Sequence, residues 1–324
     1  MNILYFIGNG FDINVGLKTR YSDFYEYYKS IDSKNELVAN LKKNIAENIV
    51  NWSDLELAFG KYTANLNTLE DFDEVYDDIV DHLGDYLEKE EQKFNISNID
   101  LKKFLSHLCT PEMHLAPGDI EEINEYRRGQ GQTQSNINII TFNYTRTIER
   151  VLENQGMSTA IGTQTNGFPI VLKSIQHIHG YTDARTILGV NDISQVSQEN
   201  FHTNREILDA LIKPSCNHSQ RHNVDKTCEK HVSKADFIYI FGSSLGDTDN
   251  HWWNLIGQQL RRGIKLIIFS KGEEIKGRFG HKPIRTQRKI KKHFLDRTDL
   301  TEDEKQDFEN NIYVGVNTGM FSIL

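Results

Sequence analysis

Four groups of residues, far apart in the chain, have the chemistry of a small-ligand site. Gly8-Asn9-Gly10-Phe11-Asp12 offers a tight backbone turn with main-chain N–H groups of the kind that approach phosphate. Asn143, within Thr141-Phe142-Asn143-Tyr144, carries a carboxamide that can donate to and accept from a ribose hydroxyl or a water without adding charge. His179, followed by Gly180, puts an imidazole that exchanges protons near neutral pH at the start of a turn. Gly242-Ser243-Ser244-Leu245-Gly246-Asp247-Thr248-Asp249 adds hydroxyls, carboxylates and further main-chain N–H groups, suited to phosphate or ribose.

Each group also has a plainer explanation. The glycine turn serves equally as a structural strand-to-helix connection, and it lacks the third glycine of the usual dinucleotide fingerprint. Asn143 is well suited to cap the helix that follows it, and Thr248 or Asp249 to cap the helix carrying Trp252 and Trp253. His177 and His179 alternate on a strand and so share a face, but two ligands do not make a metal site, and His177 reads as a satisfied, partly buried residue. Cys216, His218, His222, Cys228 and His231 lie close in sequence without a Cys-x-x-Cys pair, and no metal is expected there.

The elements that must position these residues are short apolar runs. Ile3–Ile7, Ile137–Thr141, Ile175–Ile178 and Phe237–Phe241 each end where one of the four groups begins. Runs rich in Ile, Val and aromatics read as strands buried on both faces, as in a parallel sheet, where ligands bind beyond the carboxyl ends of the strands. Further strands are predicted at Thr186–Val190, Lys265–Phe269 and Ile312–Val316. Helices are predicted at Thr145–Leu152, Asn204–Ile212, Gln220–Val232, Thr248–Arg261 and Ile284–Leu295, with a turn-rich stretch over Gly162–Pro169. The alternation gives a doubly wound, mainly parallel α/β sheet.

Between the first two strands the pattern is helical from Tyr21 to Arg128. Tyr21, Phe24, Tyr25 and Tyr28 share one face, as do Leu55, Phe59 and Tyr62, then Val75, Ile79, Leu83 and Tyr86. Asp71, Asp73, Glu74, Asp77, Asp78 and Asp81 form a solvated acidic face, and a loop over Arg128–Ser135 closes the stretch. The domain reading is therefore a sheet domain of residues 1–18 plus 135–324, with an all-helical module of residues 19–134 inserted after the first strand.

The 324 residues are 38% hydrophobic and 26% charged, ordinary for a globular protein with a full core. The net charge of −9 argues against a surface that grips nucleic acid broadly, and Arg285, Arg288, Lys289, Lys291 and Lys292 read as one solvated helix face. No run approaches the ~18 apolar residues of a membrane helix. An N-terminus that opens on a strand argues against secretion, and three cysteines suit a reducing, cytoplasmic setting.

The opening segment, Gly8-Asn9-Gly10-Phe11-Asp12 through Gly16-Leu17, Thr19, Tyr21 and Phe24, resembles the signature of the bacteriophage abortive-infection AbiH family. The three later motifs follow in that family's order, which implies antiphage defence by killing or arresting the infected cell. The four motifs are also similar to those of the sirtuin-like superfamily, which implies a Rossmann-like sheet and NAD as ligand. On that resemblance Asn143 and His179 match catalytic positions. The cofactor positions implied are Gly8, Asn9, Gly10, Phe11, Asp12, Thr141, Gly242, Ser243, Ser244, Leu245 and Asp249. The two Cys-x-x-Cys pairs of the sirtuin zinc module and an acyl-lysine segment are missing, which favours NAD cleavage over protein deacylation. The expectation is hydrolysis of NAD to nicotinamide and ADP-ribose, with Asn143 orienting ribose or water, His179 accepting a proton and Asp12 supporting the developing positive charge. A nucleotide-binding sensor with little turnover and a phosphodiester hydrolase or nuclease are the alternatives. The resemblance further implies a phage-derived trigger or partner defence protein, and a homo-oligomer.

Overall fold

A computed structural model describes residues 1–130, 133–152, 155–273 and 281–324. Among them, seven strands form one sheet: β1 (Asn2–Ile7), β2 (Ser135–Thr141), β3 (Thr159–Thr163), β4 (Pro169–His177), β5 (Phe237–Phe241), β6 (Lys265–Ser270) and β7 (Ile312–Val316). Their order across the sheet is β3-β4-β2-β1-β5-β6-β7, with β3 antiparallel to β4 and every other pair parallel. The six parallel strands, numbered among themselves in chain order, run 3-2-1-4-5-6. That is the order of a dinucleotide-binding Rossmann sheet, whose crevice opens where the order reverses, here between β1 and β5.

The apolar runs behave as buried strands because alternate side chains enter two different cores. Ile3, Tyr5 and Ile7 of β1 face a core shared with Phe104, Leu108, Ile123 and Ile148, while Leu4 and Phe6 face Val232, Trp252, Trp253, Ile256 and Phe294. A one-residue slip would exchange the two sets, so the register of β1 on β2 and β5 is strongly specified.

The sequence-predicted helical stretch contains no strand among its described residues. Its longest helix, Leu69–Gln92, starts with a Thr68–Asp71 capping box and buries Phe72, Val75, Ile79, Leu83 and Leu87 at helical spacing. Asp73, Glu74, Asp77 and Asp81 lie exposed on the far side. The helices before residue 93 pack with Leu188, Val190, Phe201 and Leu211 in a third core, above the carboxyl ends of the strands. Helices Leu101–Cys109 and Pro117–Gly129 instead pack directly on the sheet. The predicted loop at Arg128–Ser135 falls partly on residues 131–132, outside the described residues, and its first two residues end the helix Pro117–Gly129.

Two expectations are corrected, and a third is borne out with an added edge strand. Thr186–Val190 is not a strand: beyond a lone bridge from Val190 to Ile212, its backbone is satisfied by other groups. Ile187 N–H donates to the His179 carbonyl, and the hydroxyls of Tyr144 and Tyr76 donate to the carbonyls of Ile187 and Leu188. The predicted turn-rich stretch Gly162–Pro169 spans the end of β3, the turn and the start of β4, because Gly167 at φ +86° folds an edge hairpin there. The predicted helix Gln220–Val232 is broken by left-handed Arg221 and Asn223, which separate Lys213–Gln220 from Val224–Lys234. Helix Glu302–Phe308, opened by a Thr301–Glu304 capping box, is an addition.

The turns after β1 and β5 touch backbone to backbone. Gly10 N–H donates to the Gly242 carbonyl at 2.9 Å, and Gly8 N–H to the Phe241 carbonyl at 2.9 Å. A Cβ at Gly10 would lie 2.5 Å from Gly242 Cα, and Gly242 adopts φ +67°. Gly10→Ala should therefore cost about 1–3 kcal/mol through overpacking against backbone. Gly118→Ala, where nothing lies within 4 Å, is the control expected to leave the denaturant midpoint within error or raise it.

Candidate functional site

A cleft of about 1060 Å³ lies over the contact between the β1 and β5 turns, at the upper end of the range for small-ligand pockets. Of the residues predicted to form a site, Gly8, Asn9, Gly10, Asp12, Asn143, His179, Gly242, Ser243, Ser244 and Asp249 line it. Tyr21, Tyr25, Trp52 and Glu56 line it from the inserted helices. The four sequence motifs thus converge on one crevice at the switch point of the sheet.

Three predicted residues do not line the cleft. Phe11 is fully buried against Phe104 and Phe321. Leu245, at φ +56°, turns its side chain into the core around Trp252 and Trp253. Thr141 is buried at the end of β2, where its hydroxyl donates to the Ile7 carbonyl at 3.0 Å and accepts from Asn143 N–H at 3.1 Å. Thr141 therefore shapes the backbone that carries Asn143.

Asn143 is gripped through its main chain, while its buried side chain makes no aligned hydrogen bond. His177 Nδ1 bonds the Asn143 carbonyl at 2.8 Å, and His177 Nε2 lies 2.5 Å from Glu149. Neither Nδ2 nor Oδ1 of the buried Asn143 carboxamide makes an aligned hydrogen bond within the protein, although the carboxamide lies close enough to the Asp12 carboxyl to lower its pKa. The helix-cap explanation fails, since the following helix, Thr147–Val151, has Arg146 at its N-cap. An unpaired buried polar group costs about 1–3 kcal/mol, so a buried carboxamide without an aligned partner in the lining of a cleft is an exception that calls for an explanation.

Asp12 lies beside Asn143. Its Oδ2 accepts from Thr145 Oγ1 at 2.5 Å, Oδ1 makes no aligned hydrogen bond, and the residue is 1% exposed. Burial pushes its carboxyl up to about 7, against the opposing dipoles of Thr145, Thr147 and Asn143. Asn9, in contrast, is occupied: Nδ2 donates to the Thr19 carbonyl at 2.7 Å, and Oδ1 accepts from Thr19 Oγ1 at 2.5 Å. The Gly8 and Gly10 N–H groups, expected to face a phosphate, are taken by Phe241 and Gly242. Ser243 Oγ accepts from Leu245 N–H at 3.1 Å.

His179 and His177 do not act together: β4 ends at His177, whose ring is held by Asn143 and Glu149, whereas His179 lies beyond the strand end, one residue before the turn at Gly180. A Cβ at Gly180, φ +77°, would collide with the Arg185 carbonyl. His179 Nε2 instead sits 3.0 Å from Asp249 Oδ1, an approach not aligned as a hydrogen bond. Lys213 Nζ donates to that same Oδ1 and to Glu56 Oε2, both at 2.8 Å, and Thr248 Oγ1 donates to Glu56 Oε2 at 2.9 Å. Asp249 and Thr248 thus serve this network and make no side-chain helix cap. Burial opposes the charge on Asp249, but Lys213 and His179 hold its carboxyl well below the ordinary range. Burial likewise opposes the charge on Lys213, yet Asp249 and Glu56 keep its ammonium protonated, whereas burial raises Glu56 despite Lys213.

Glu56 and Lys213 were missed. Lys213 belongs to no motif, and Glu56 was visible only as an acid inside the apolar run Leu55–Phe59. Cys216, Cys228 and Cys109 are free and buried, and burial raises each thiol. No group of three or more His, Cys, Asp or Glu gathers as a metal site among the described residues. No helix among them is long and apolar enough to cross a membrane.

Two predictions follow from these charges. Lys213→Met leaves Glu56 and Asp249 buried without their cation and should cost about 3–5 kcal/mol in denaturant unfolding, with Glu56→Gln restoring part. Asp12 has a folded pKa above its ordinary value of 3.8, so its contribution to stability is full below pH 4 and is lost as pH rises to about 7. The melting temperature of the wild type, measured against Asp12→Asn, should fall across that window and level off above it.

No curated protein matches the chain. The family model described as Bacteriophage abortive infection AbiH matches residues 4–270, a span that takes in all four motifs, β1 to β6 and the inserted helices. The chain belongs to the bacteriophage abortive infection AbiH family, and that membership points to a role in phage abortive infection.

Proposed function

We propose that the protein is an abortive-infection effector that hydrolyses NAD to nicotinamide and ADP-ribose in the crevice between β1 and β5. The observation that carries this reading is the Asn143 carboxamide, buried, anchored through its main chain and without an aligned hydrogen bond, lining the same cleft as His179. A Rossmann strand order supports a dinucleotide, though fold alone does not decide function. The cleft volume of about 1060 Å³ suits a ligand of that size.

In this mechanism Asn143 orients the ribose or the attacking water. The N-glycosidic bond breaks and its electron pair leaves with nicotinamide, neutralising the pyridinium. Water bonds to the sugar carbon and gives up a proton to His179. Asp249 stabilises the imidazolium that forms, and Lys213 keeps Asp249 ionised, so both are positioning residues. Proton transfer of this kind is typically worth about 10²–10⁴-fold.

A second reading, a nucleotide sensor with little turnover, is favoured by Glu56. This residue reaches from the inserted helices into the Lys213–Asp249 pair, so a ligand in the cleft would act on the insertion.

Purified protein incubated with NAD, with and without phage lysate, should release nicotinamide and ADP-ribose on chromatography. His179→Ala and Asn143→Ala should each lower release about 10²-fold or more and abolish phage protection, with unchanged melting temperatures. Neither variant removes a helix cap. Full protection by a stable His179→Ala protein would reject hydrolysis and leave the sensor.

A further inference from the structure

We propose that the exposed face of helix His281–Leu295 is a docking surface for the phosphate backbone of duplex DNA. The proposal is independent of NAD hydrolysis and uses no residue of the cleft.

The helix contains six Lys or Arg and no Asp or Glu, in a chain whose net charge is −9. Its inner side is occupied. Gln287 Nε2 donates to the Val314 carbonyl at 2.9 Å, and Ile290, Phe294 and Leu295 pack into the core beneath. Lys291 also turns inward, donating to the Glu309 carbonyl at 3.1 Å on the side of Asp119 and Glu122. Arg285, Arg288, Lys289 and Lys292 lie on the opposite face. All four are exposed, and none makes an ion pair or side-chain hydrogen bond among the described residues. The Glu302 carboxyl is lowered by its bond from Lys305, at 2.7 Å, with Lys292 adding to the field, so Glu302 already has its partner.

The spacing places the four cations within roughly 100° of the helix circumference and about 10 Å of its length. Each stands three or four residues from a like charge, an arrangement that weakens a helix, and no acid in the first turn offsets it. A row that works against local stability with no gain in the fold is expected at a functional surface.

A polyanion would neutralise that row, and the rest of the helix narrows the choice. An interfacial membrane helix buries an apolar face in lipid, whereas here the apolar face is spent on the core. Single-stranded nucleic acid is held by cations together with aromatic platforms, and this helix has Phe294 alone of Phe, Tyr and Trp, fully buried. B-form DNA carries phosphates on both walls of a major groove about 12 Å wide that admits an α-helix, while the groove of an RNA duplex is too narrow. Cations fanned over such an arc reach both walls. Contacts of this kind go to phosphates, so binding is indifferent to base sequence.

The test is fluorescence anisotropy of the full chain with a short labelled DNA duplex across a salt series. Wild type should bind in the range of about 10⁻⁴–10⁻⁶ M, equally for unrelated sequences, with log affinity falling against log salt at a slope of about −3.6 for four phosphates. Arg285→Gln, Arg288→Gln, Lys289→Gln and Lys292→Gln together should lower affinity at least about tenfold and flatten the slope to about −1. A control with Lys34→Gln, Lys61→Gln, Lys102→Gln and Lys226→Gln removes the same charge from exposed positions elsewhere and should stay within about threefold of wild type. Glutamine keeps helix propensity, melting curves check folding, and the pair Arg288→Gln with Lys292→Gln should give an intermediate slope if the fourfold variant is unstable. Absence of duplex binding, an equal loss in the control, or tighter binding of an RNA duplex, a single strand, anionic phosphatidylserine vesicles or polyglutamate would each overturn the proposal.

Discussion

The site depends on the contact between two backbones, at Gly10 and Gly242. β1 and β5 are neighbours, and the sheet reverses its winding between them, so their following turns leave in diverging directions above one strip of sheet. With no Cβ on either side, the turns close to hydrogen-bonding distance and form a continuous floor. The Asp12 side of the site then lies beside the Ser243–Asp249 side. Any side chain at Gly10 would have to displace main chain, which is held by the sheet on both sides.

Above that floor, the protein keeps polar groups out of water in two different ways. At one end, Lys213 is enclosed by Glu56, Asp249 and Thr248, so charge is matched within the fold. Such a network adds little net stability, because desolvation offsets attraction, but it is costly to break and so fixes geometry. At the other end, Asp12 and Asn143 are buried side by side, with Thr145 bonding one oxygen of Asp12 while the other oxygen and the Asn143 carboxamide make no aligned hydrogen bond. The contrast separates an end of the cleft whose charges are matched within the fold from an end whose polar groups are only partly matched. His179 stands at the boundary, facing Asp249 and packed near Phe142 and Tyr144.

The inserted helices belong to this arrangement through specific residues. Glu56 enters the Lys213 network, while Tyr21, Tyr25 and Trp52 cover the cleft. Tyr144 and Tyr76 cross from the site region and the insertion to the 187–188 segment, replacing the strand ladder expected there. The cleft therefore has a sheet for its floor and the insertion for one wall.

The sequence by itself determined the strands and where the polar motifs stand on them. Apolar runs such as Ile3–Ile7 and Phe237–Phe241 can only be buried on both faces, and a parallel sheet of them must gather its strand ends on one edge. For the same reason Asn143 and His179 could be picked out, since each follows such a run directly. The tertiary structure alone decided which polar atoms are free. Asn9 and Asn143 are the same residue type at equivalent strand ends, yet Thr19 bonds both polar atoms of one while the other makes no aligned hydrogen bond. Lys213 and Glu56, 157 positions apart, meet inside the protein without any local pattern to announce them. Periodicity records which side of an element is buried; the partner of each buried polar group depends on chain segments that meet only when the whole sheet and its insertion have packed.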